Sequence, residues 1–203
     1  MRIKICGLTR EEDAALAERL GAWALGFIFY PQSKRYLTPD AARPIIAQRT
    51  TPCVGVFVNQ TEEAITLSQT IPFEGLQLHG DETPEECLRV KKSFPGFIVK
   101  ALRPETEDNL KIIETYKNSV DYILIDTAVK GEWGGSGKIS DWALAARATE
   151  YGVPVILAGG LNVDNIGAAQ QQVKFHAADL ASGVEAAPGI KDAQKLHTLF
   201  SNV

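Results

Sequence analysis

Residues 154–166 read PVILAGGLNVDNI, and this stretch contains the repeating unit of the predicted fold. Its first four residues, Pro154–Leu157, are a short apolar run, which is typical of a strand that is buried on both faces. Two glycines follow soon after, and Asn162-Val163-Asp164 then indicates a helix start, because Asn is a favoured N-cap residue. The stretch therefore predicts a strand, a glycine turn and a helix, in that order.

The same order of elements recurs along the whole chain. Seven other apolar runs are each followed by polar turn residues and then by a segment with helical spacing. Helix starts are indicated at Thr9, Thr38, Thr61 and Thr83, where threonine precedes acidic residues or proline. Glu107–Lys117 has the weakest helical pattern. The predicted strands are Ile3–Cys6, Trp23–Phe29, Cys53–Val58, Gly75–Leu78, Phe97–Ala101, Tyr122–Ile125, Pro154–Leu157 and Ala178–Ala181.

Strands that alternate strictly with helices, the last of them over Lys191–Leu199, predict an α/β protein built as a (β/α)8 TIM barrel. We expect residues 1–203 to form this barrel as a single domain. The competing architecture is an open, doubly wound parallel sheet, which usually carries a glycine-rich turn after its first strand. The corresponding turn here, Cys6-Gly7-Leu8-Thr9, contains one glycine, which favours the barrel.

Composition excludes several classes of protein. The chain has 21 Lys and Arg against 25 Asp and Glu, so it lacks the basic excess of a nucleic-acid binder. No apolar run approaches the ~20 residues that span a bilayer, and the charged N-terminus lacks a signal-peptide core. Three cysteines without a CxxC motif, Cys6, Cys53 and Cys87, argue against disulfides and a zinc site. We therefore expect a cytoplasmic protein with no metal, membrane or nucleic-acid partner.

Two glycine pairs indicate a phosphate site. In a TIM barrel the loops after strands seven and eight commonly bind phosphate, and here they contain Gly159-Gly160 and Ser182-Gly183. Glycine lets a phosphate approach the backbone N–H groups closely. The alternative is that these glycines only turn the chain, but their occurrence at both matching positions favours phosphate binding.

Cys6 and Asp126 are the candidate acid–base groups, because each lies where a predicted strand ends. A thiol with an ordinary pKa of ~8.5 needs positive potential, or a cationic substrate, to ionise usefully as a base. A carboxyl group at the end of an apolar strand is desolvated, which favours its protonated form and suits a general acid. The alternatives are a small buried hydrophobic residue for Cys6 and a structural carboxylate for Asp126.

Three other features in the predicted loops could contact a ligand. Arg35 could hold a carboxylate with two hydrogen bonds, although a single loop arginine is often solvated surface charge. His79 could donate a hydrogen bond or a proton, or could be structural. The segment 134–138, GGSGK, lacks the spacing of a P-loop and is interpreted as a flexible lid or substrate loop.

Taken together, these residues resemble those of the phosphoribosylanthranilate isomerase family of tryptophan biosynthesis. The resemblance runs from end to end of the chain, with its motifs in the same order, and is weakest at Ala128–Glu132 and Gln171–His176. The motifs are KICGLT (4–9), GFIF (26–29) with PQSKRY (31–36), VGVFVN (54–59), LQLHGDE (76–82), GGSGK (134–138), LAGGL (157–161) and SGVE (182–185).

This resemblance implies a cofactor-free (β/α)8 barrel that catalyses an Amadori rearrangement of a small phosphosugar–anthranilate substrate. It implies that Cys6 is the general base, that Asp126 is the general acid and that Arg35 holds the anthranilate carboxylate. It also implies that the glycine loops hold the phosphate. We expect a monomer or a homodimer, with Asp179 pointing into the barrel to support the site.

Two rival functions remain at this point. The related isomerase of histidine biosynthesis pairs two carboxylates, so a cysteine at position 6 with Asp126 argues against it. A catalytically silent barrel that binds a phosphorylated ligand for regulation would lack the acid or the base, and both are present here.

Overall fold

In a computed structural model, eight parallel strands close into a barrel, which confirms the predicted fold class. The structure describes residues 1–126 and 142–202. The predicted loop 134–138 lies outside the described residues. Closure is made by the first and last barrel strands, which pair with Ile3 opposite Ala178 and Ile5 opposite Leu180.

The barrel strands lie where the apolar runs predict them, with ends that differ by about one residue. Two of them, the fourth and the sixth, have the predicted bounds. The strands are β1 (Ile3–Ile5), β2 (Ala24–Ile28), β3 (Cys53–Phe57), β4 (Gly75–Leu78), β5 (Phe97–Leu102), β6 (Tyr122–Ile125), β7 (Val155–Leu157) and β8 (Ala177–Leu180).

Helices follow the barrel strands and cover the outside of the barrel. The described helices are α1 (Glu11–Arg19), α2 (Pro39–Ile46), α3 (Thr61–Ser68), α4 (Pro84–Ser93), α5 (Ile113–Tyr116), α6 (Trp142–Ala148), α7 (Ile166–Gln172) and α8 (Ala193–Ser201). The weak pattern over Glu107–Lys117 becomes a 3-10 segment, Glu107–Ile112, followed by the single turn of α5.

Side chains of each barrel strand point alternately to the helices and to the lumen. On β6, Ile123 and Ile125 pack in the layer between strands and helices, whereas Leu124 packs in a second cluster with Val99 and Ile156. Because successive side chains alternate, the same rule identifies the lumen-facing residues of every strand. Polar lumen positions therefore stand out against an otherwise apolar interior.

The predicted helix caps are partly correct. Thr38 accepts a hydrogen bond from the backbone of α2, and Thr83 forms a capping box with Glu86 at α4. The predictions for Thr9 and Thr61 are wrong: Thr61 is already the first residue of α3, and the Thr9 hydroxyl donates to the carbonyl of Gly189. Thr9 thus joins the β1 loop to the C-terminal segment instead of capping α1.

A short antiparallel hairpin follows β8 and was not predicted. It consists of β9 (Glu185–Ala187) and β10 (Ile190–Lys191). The last helix begins at Ala193, after the N-cap Asp192, so the predicted helix start at Lys191 is wrong. The hairpin turns the Lys191 side chain back toward the barrel, where it becomes part of the site.

Among the described residues, no helix is long and apolar enough to cross a membrane.

Candidate active site

A cleft at the carboxyl ends of the strands contains almost the whole predicted site. It is bounded by β1, β2, β3, β4, β6, β7, β8 and the loops that follow them. The predicted residues that line it are Cys6, Arg35, His79, Asp126, Gly159, Gly160 and Ser182. The remaining predicted residue, Gly183, is not among the lining residues and pairs with Asn162 through the backbone. The lining also includes Gln77 and Asp179, so Asp179 does face the lumen.

Cys6 lies directly after β1 and is 6% exposed. Its backbone N–H donates to Leu180 of β8, and its carbonyl accepts a hydrogen bond of 2.6 Å from Lys191 Nζ. Burial raises the pKa of the Cys6 thiol, and the neighbouring Lys4 ammonium opposes that rise. Desolvation and a nearby cation therefore compete at this sulfur.

Asp126 follows β6 directly, is buried, and contacts His79. His79 Nε2 lies 3.2 Å from Asp126 Oδ2, and His79 Nδ1 lies 2.7 Å from the amide nitrogen of Gln77. With the amide donating to Nδ1, the neutral ring carries its proton on Nε2 and donates it to Asp126. With the amide reversed, Nδ1–H would donate to the Gln77 oxygen and Nε2 would accept a hydrogen bond from a protonated Asp126. These hydrogen bonds are therefore compatible with both protonation states of the carboxyl group.

Arg35 approaches the cleft from the loop after β2 and is held by Glu185. The guanidinium donates from Nε and Nη2 to the two oxygens of Glu185, at 2.8 and 2.7 Å, and Lys191 Nζ donates to Glu185 Oε1 at 2.9 Å. Although burial opposes it, these hydrogen bonds and charges lower the pKa of Glu185. Gly7, with φ of +73°, leaves room for Arg35, because an added Cβ would lie 2.5 Å from Arg35 Cδ.

The loops after β7 and β8 lie against each other. Gly159 and Gly160 have φ of +85° and +68°, which glycine adopts without strain. The Asn165 side chain donates to the carbonyl of Gly160 and fixes this turn. An added Cβ at Gly183 would lie 1.9 Å from the carbonyl oxygen of Leu161, so only glycine permits this close contact between the two loops.

Sequence reasoning missed four residues that surround the predicted ones: Lys4, Gln77, Glu185 as a partner of Arg35, and Lys191. Lys4 and Gln77 could have been found, because each lies two positions before a predicted site residue on the same strand. Lys191 carried no local signal, since it reaches the site through the hairpin that was not predicted.

A closed (β/α)8 barrel with a polar cleft at the carboxyl ends of its strands defines a TIM-barrel enzyme. A family model described as "PRAI: N-(5'phosphoribosyl)anthranilate (PRA) isomerase" matches residues 3–202. The chain therefore belongs to the N-(5'-phosphoribosyl)anthranilate isomerase family, which confirms the resemblance found in its motifs.

Similar proteins agree with this membership. The N-(5'-phosphoribosyl)anthranilate isomerase of Gloeothece citriformis is 42% identical over 207 residues, covering 100% of this chain and 94% of the relative. The structure of monomers generated from the dimeric enzyme of Thermotoga maritima has a TM-score of 0.89 and 34% identity, covering 100% and 97% of the two chains. A phosphoribosylanthranilate isomerase in complex with reduced 1-(o-carboxyphenylamino)-1-deoxyribulose 5-phosphate has a TM-score of 0.87 and 34% identity, with the same coverage.

Proposed function

We propose that Cys6 and Asp126 are the general base and the general acid of the family's reaction in this chain. The activity is the Amadori rearrangement of N-(5-phosphoribosyl)anthranilate to 1-(2-carboxyphenylamino)-1-deoxyribulose 5-phosphate, in tryptophan biosynthesis. The observation that supports the two roles is that the thiol and the carboxyl group line one cleft from β1 and β6. These strands are not neighbours in the barrel, so the groups can reach one sugar from two sides.

The chemistry needs a proton donor and a proton acceptor in sequence. Asp126 protonates the furanose ring oxygen, the C1′–O bond breaks, and the anthranilate nitrogen forms an iminium ion. The iminium acidifies the C2′–H bond, and the Cys6 thiolate removes that proton to give an enolamine. The enolamine tautomerises to the ketose. The binding groups at the two ends of the substrate lower the barrier by holding it between acid and base.

An assay of the purified protein tests this function directly. Fluorescence would follow the consumption of phosphoribosylanthranilate, and we expect turnover without added metal or cofactor. Turnover of the corresponding aminoaldose of histidine biosynthesis, but not of phosphoribosylanthranilate, would contradict the proposal. Binding without turnover of either compound would instead favour a regulatory barrel.

Arg35 is proposed to hold the anthranilate carboxylate. Glu185 engages Nε and Nη2, so the Nη1 edge of the guanidinium is the part offered to a substrate. We expect Arg35→Ala to raise KM by roughly tenfold or more, because a charge-assisted hydrogen bond is lost, with a smaller change in kcat. Steady-state kinetics would measure the changes in KM and kcat separately. Lys34→Ala is the control, since Lys34 is the exposed neighbour; an unchanged KM in Arg35→Ala would count against the clamp.

The loops containing Gly159-Gly160 and Ser182-Gly183 are proposed to hold the phosphate. Gly183→Ala would push these two loops apart, because its Cβ would collide with the Leu161 carbonyl. We expect a KM for substrate that is higher by about tenfold or more, and an equal weakening of inhibition by inorganic phosphate. Gly167→Ala, on α7 with open space around it, is the control. Normal phosphate inhibition in Gly183→Ala would refute the assignment.

We further propose a cytoplasmic enzyme that is a monomer or a homodimer and works with neither nucleic acid nor membrane as partner. The Thermotoga maritima relative is described as dimeric, which supports the homodimer as one of the two states.

A further inference from the structure

Lys4 lies in the barrel lumen two positions before Cys6, and the proposed roles above do not use it. Its side chain is completely buried. Nζ lies 3.1 Å from both carboxylate oxygens of Asp179, across the pairing of β1 with β8. A buried ammonium is costly unless a charge pairs with it, so Asp179 accounts for its charged state.

The Lys4 ammonium also lies near the Cys6 thiol. Both side chains approach Gly26 on the neighbouring strand β2. A Cβ added at Gly26 would lie 2.8 Å from Cys6 Sγ and 3.1 Å from Lys4 Nζ. Glycine at this position thus leaves the space that the ammonium and the sulfur both approach.

The charges that face Cys6 come from several elements. Lys4 on β1 and Lys191 on β10 favour the thiolate, whereas Asp179 on β8 disfavours it. Arg35 is a further cation within electrostatic reach of the thiol, although Glu185 neutralises much of its charge. Among the charges that lower the pKa of Cys6, Lys4 has the largest effect.

We propose that Lys4 is a positioning residue whose ammonium stabilises the Cys6 thiolate, while the Asp179 carboxylate keeps that ammonium charged. This inference rests on Cys6 being the base. Without Lys4, the thiolate would face the Asp179 carboxylate with no cation between them, and like charges disfavour ionisation. A buried lysine–aspartate pair that only supports the barrel is the alternative.

The proton inventory of the step is simple. The Cys6 S–H proton first leaves to solvent and Lys4 keeps its own three. During turnover a sulfur lone pair then takes the C2′ proton, and the electrons of the broken C–H bond neutralise the iminium to give the enolamine. Lys4 transfers no proton at any stage, so its contribution is electrostatic.

The test is the pH dependence of Cys6 alkylation by iodoacetamide in the free enzyme, with the adduct located by mass spectrometry. Burial raises the pKa of both Cys53 and Cys87 to about 12, so these thiols stay unreactive around neutral pH. We expect Lys4→Met to move the midpoint of Cys6 alkylation upward by about one pH unit or more. An unchanged midpoint would overturn the proposal.

Lys100→Met is the matched control. Lys100 is also a fully buried lysine, paired with Glu82 at 2.8 Å, but it lies outside the cleft lining. We expect it to leave the Cys6 midpoint where it is in the unmodified enzyme. An equal upward shift in Lys100→Met would mean that the effect follows general loosening of the barrel, and would overturn the role of Lys4.

A second pair of variants covers the case in which Lys4→Met fails to fold because Asp179 is left unpaired. Asp179→Asn is compared with the double variant that also carries Lys4→Met, and the double variant should have the higher midpoint. Equal midpoints would overturn the proposal. The pH profile of kcat/KM is a separate test: if it does not follow the alkylation midpoint, Cys6 is not the base, although Lys4 still controls its ionisation.

Discussion

Cys6→Ala is expected to lower kcat for phosphoribosylanthranilate by about 10²–10⁴-fold, the usual contribution of a positioned general base. No other described side chain that lines the cleft near β1 offers a free base, since Asp179 is paired with Lys4. Substrate binding should change little, because the proposed carboxylate and phosphate sites remain. The fluorescence assay gives kcat and KM, and near-normal turnover would remove Cys6 from the mechanism.

Cys53→Ala is the matched control for this loss. Cys53 begins β3 and points to the outer layer, where it is 1% exposed, so its truncation removes a thiol of similar burial without touching the cleft. We expect thermal unfolding at a lower temperature with kcat retained. If both variants lost turnover equally, the effect of Cys6→Ala would have to be attributed to packing.

The fold could be predicted because the strands of a parallel barrel are apolar on both faces. Runs such as Tyr122–Ile125 have the same bounds in sequence and structure. The weak pattern over Glu107–Lys117 did not form one α-helix. Its buried side chains are Leu110 in the 3-10 segment and Ile113 and Tyr116 in α5. Tertiary contacts determined the structure of that segment. They also explain why Thr9 does not cap α1, because its hydroxyl donates to the Gly189 carbonyl instead.

The site was predictable to the extent that it follows strand ends. Cys6 and Asp126 each come directly after a strand, and the barrel brings such positions to one rim. Their partners depend on long-range geometry: Lys191 reaches the Cys6 carbonyl from 185 positions away. Counting back two positions from Cys6 along the strand would have found the cation Lys4. The sequence could not have shown that Asp179, on the neighbouring strand β8, pairs with it.

The charged groups around the cleft lie in two places, one near Cys6 and one near Asp126. Near β1 and β8, two lysines and Arg35 alternate with Asp179 and Glu185, which supports the thiolate proposed for Cys6. Near β4 and β6, the contacts of Asp126 that involve Gln77 and His79 are made through neutral groups when the imidazole is unprotonated. Arg103, directly after β5, is a cation within electrostatic reach of Asp126, and its guanidinium donates to the His79 carbonyl.

The second large effect is expected for Asp126→Asn. The amide keeps the size of the side chain and can still hydrogen-bond to His79, but it has no acidic proton to give to the ring oxygen. We expect kcat to fall by about 10²–10⁴-fold with KM nearly unchanged, because ring opening then depends on water. Steady-state kinetics and thermal unfolding together would separate this loss from a folding defect.

Asp121→Asn supplies the matched comparison on the same strand. Asp121 precedes β6 at the opposite rim, where it accepts hydrogen bonds from the Ile98 backbone and from Lys91. Its substitution should lower stability and leave kcat intact, because the cleft lies at the other end of the strand. Turnover that survives in Asp126→Asn would require a different acid, and His79, the group in contact with Asp126, would be the first residue to test.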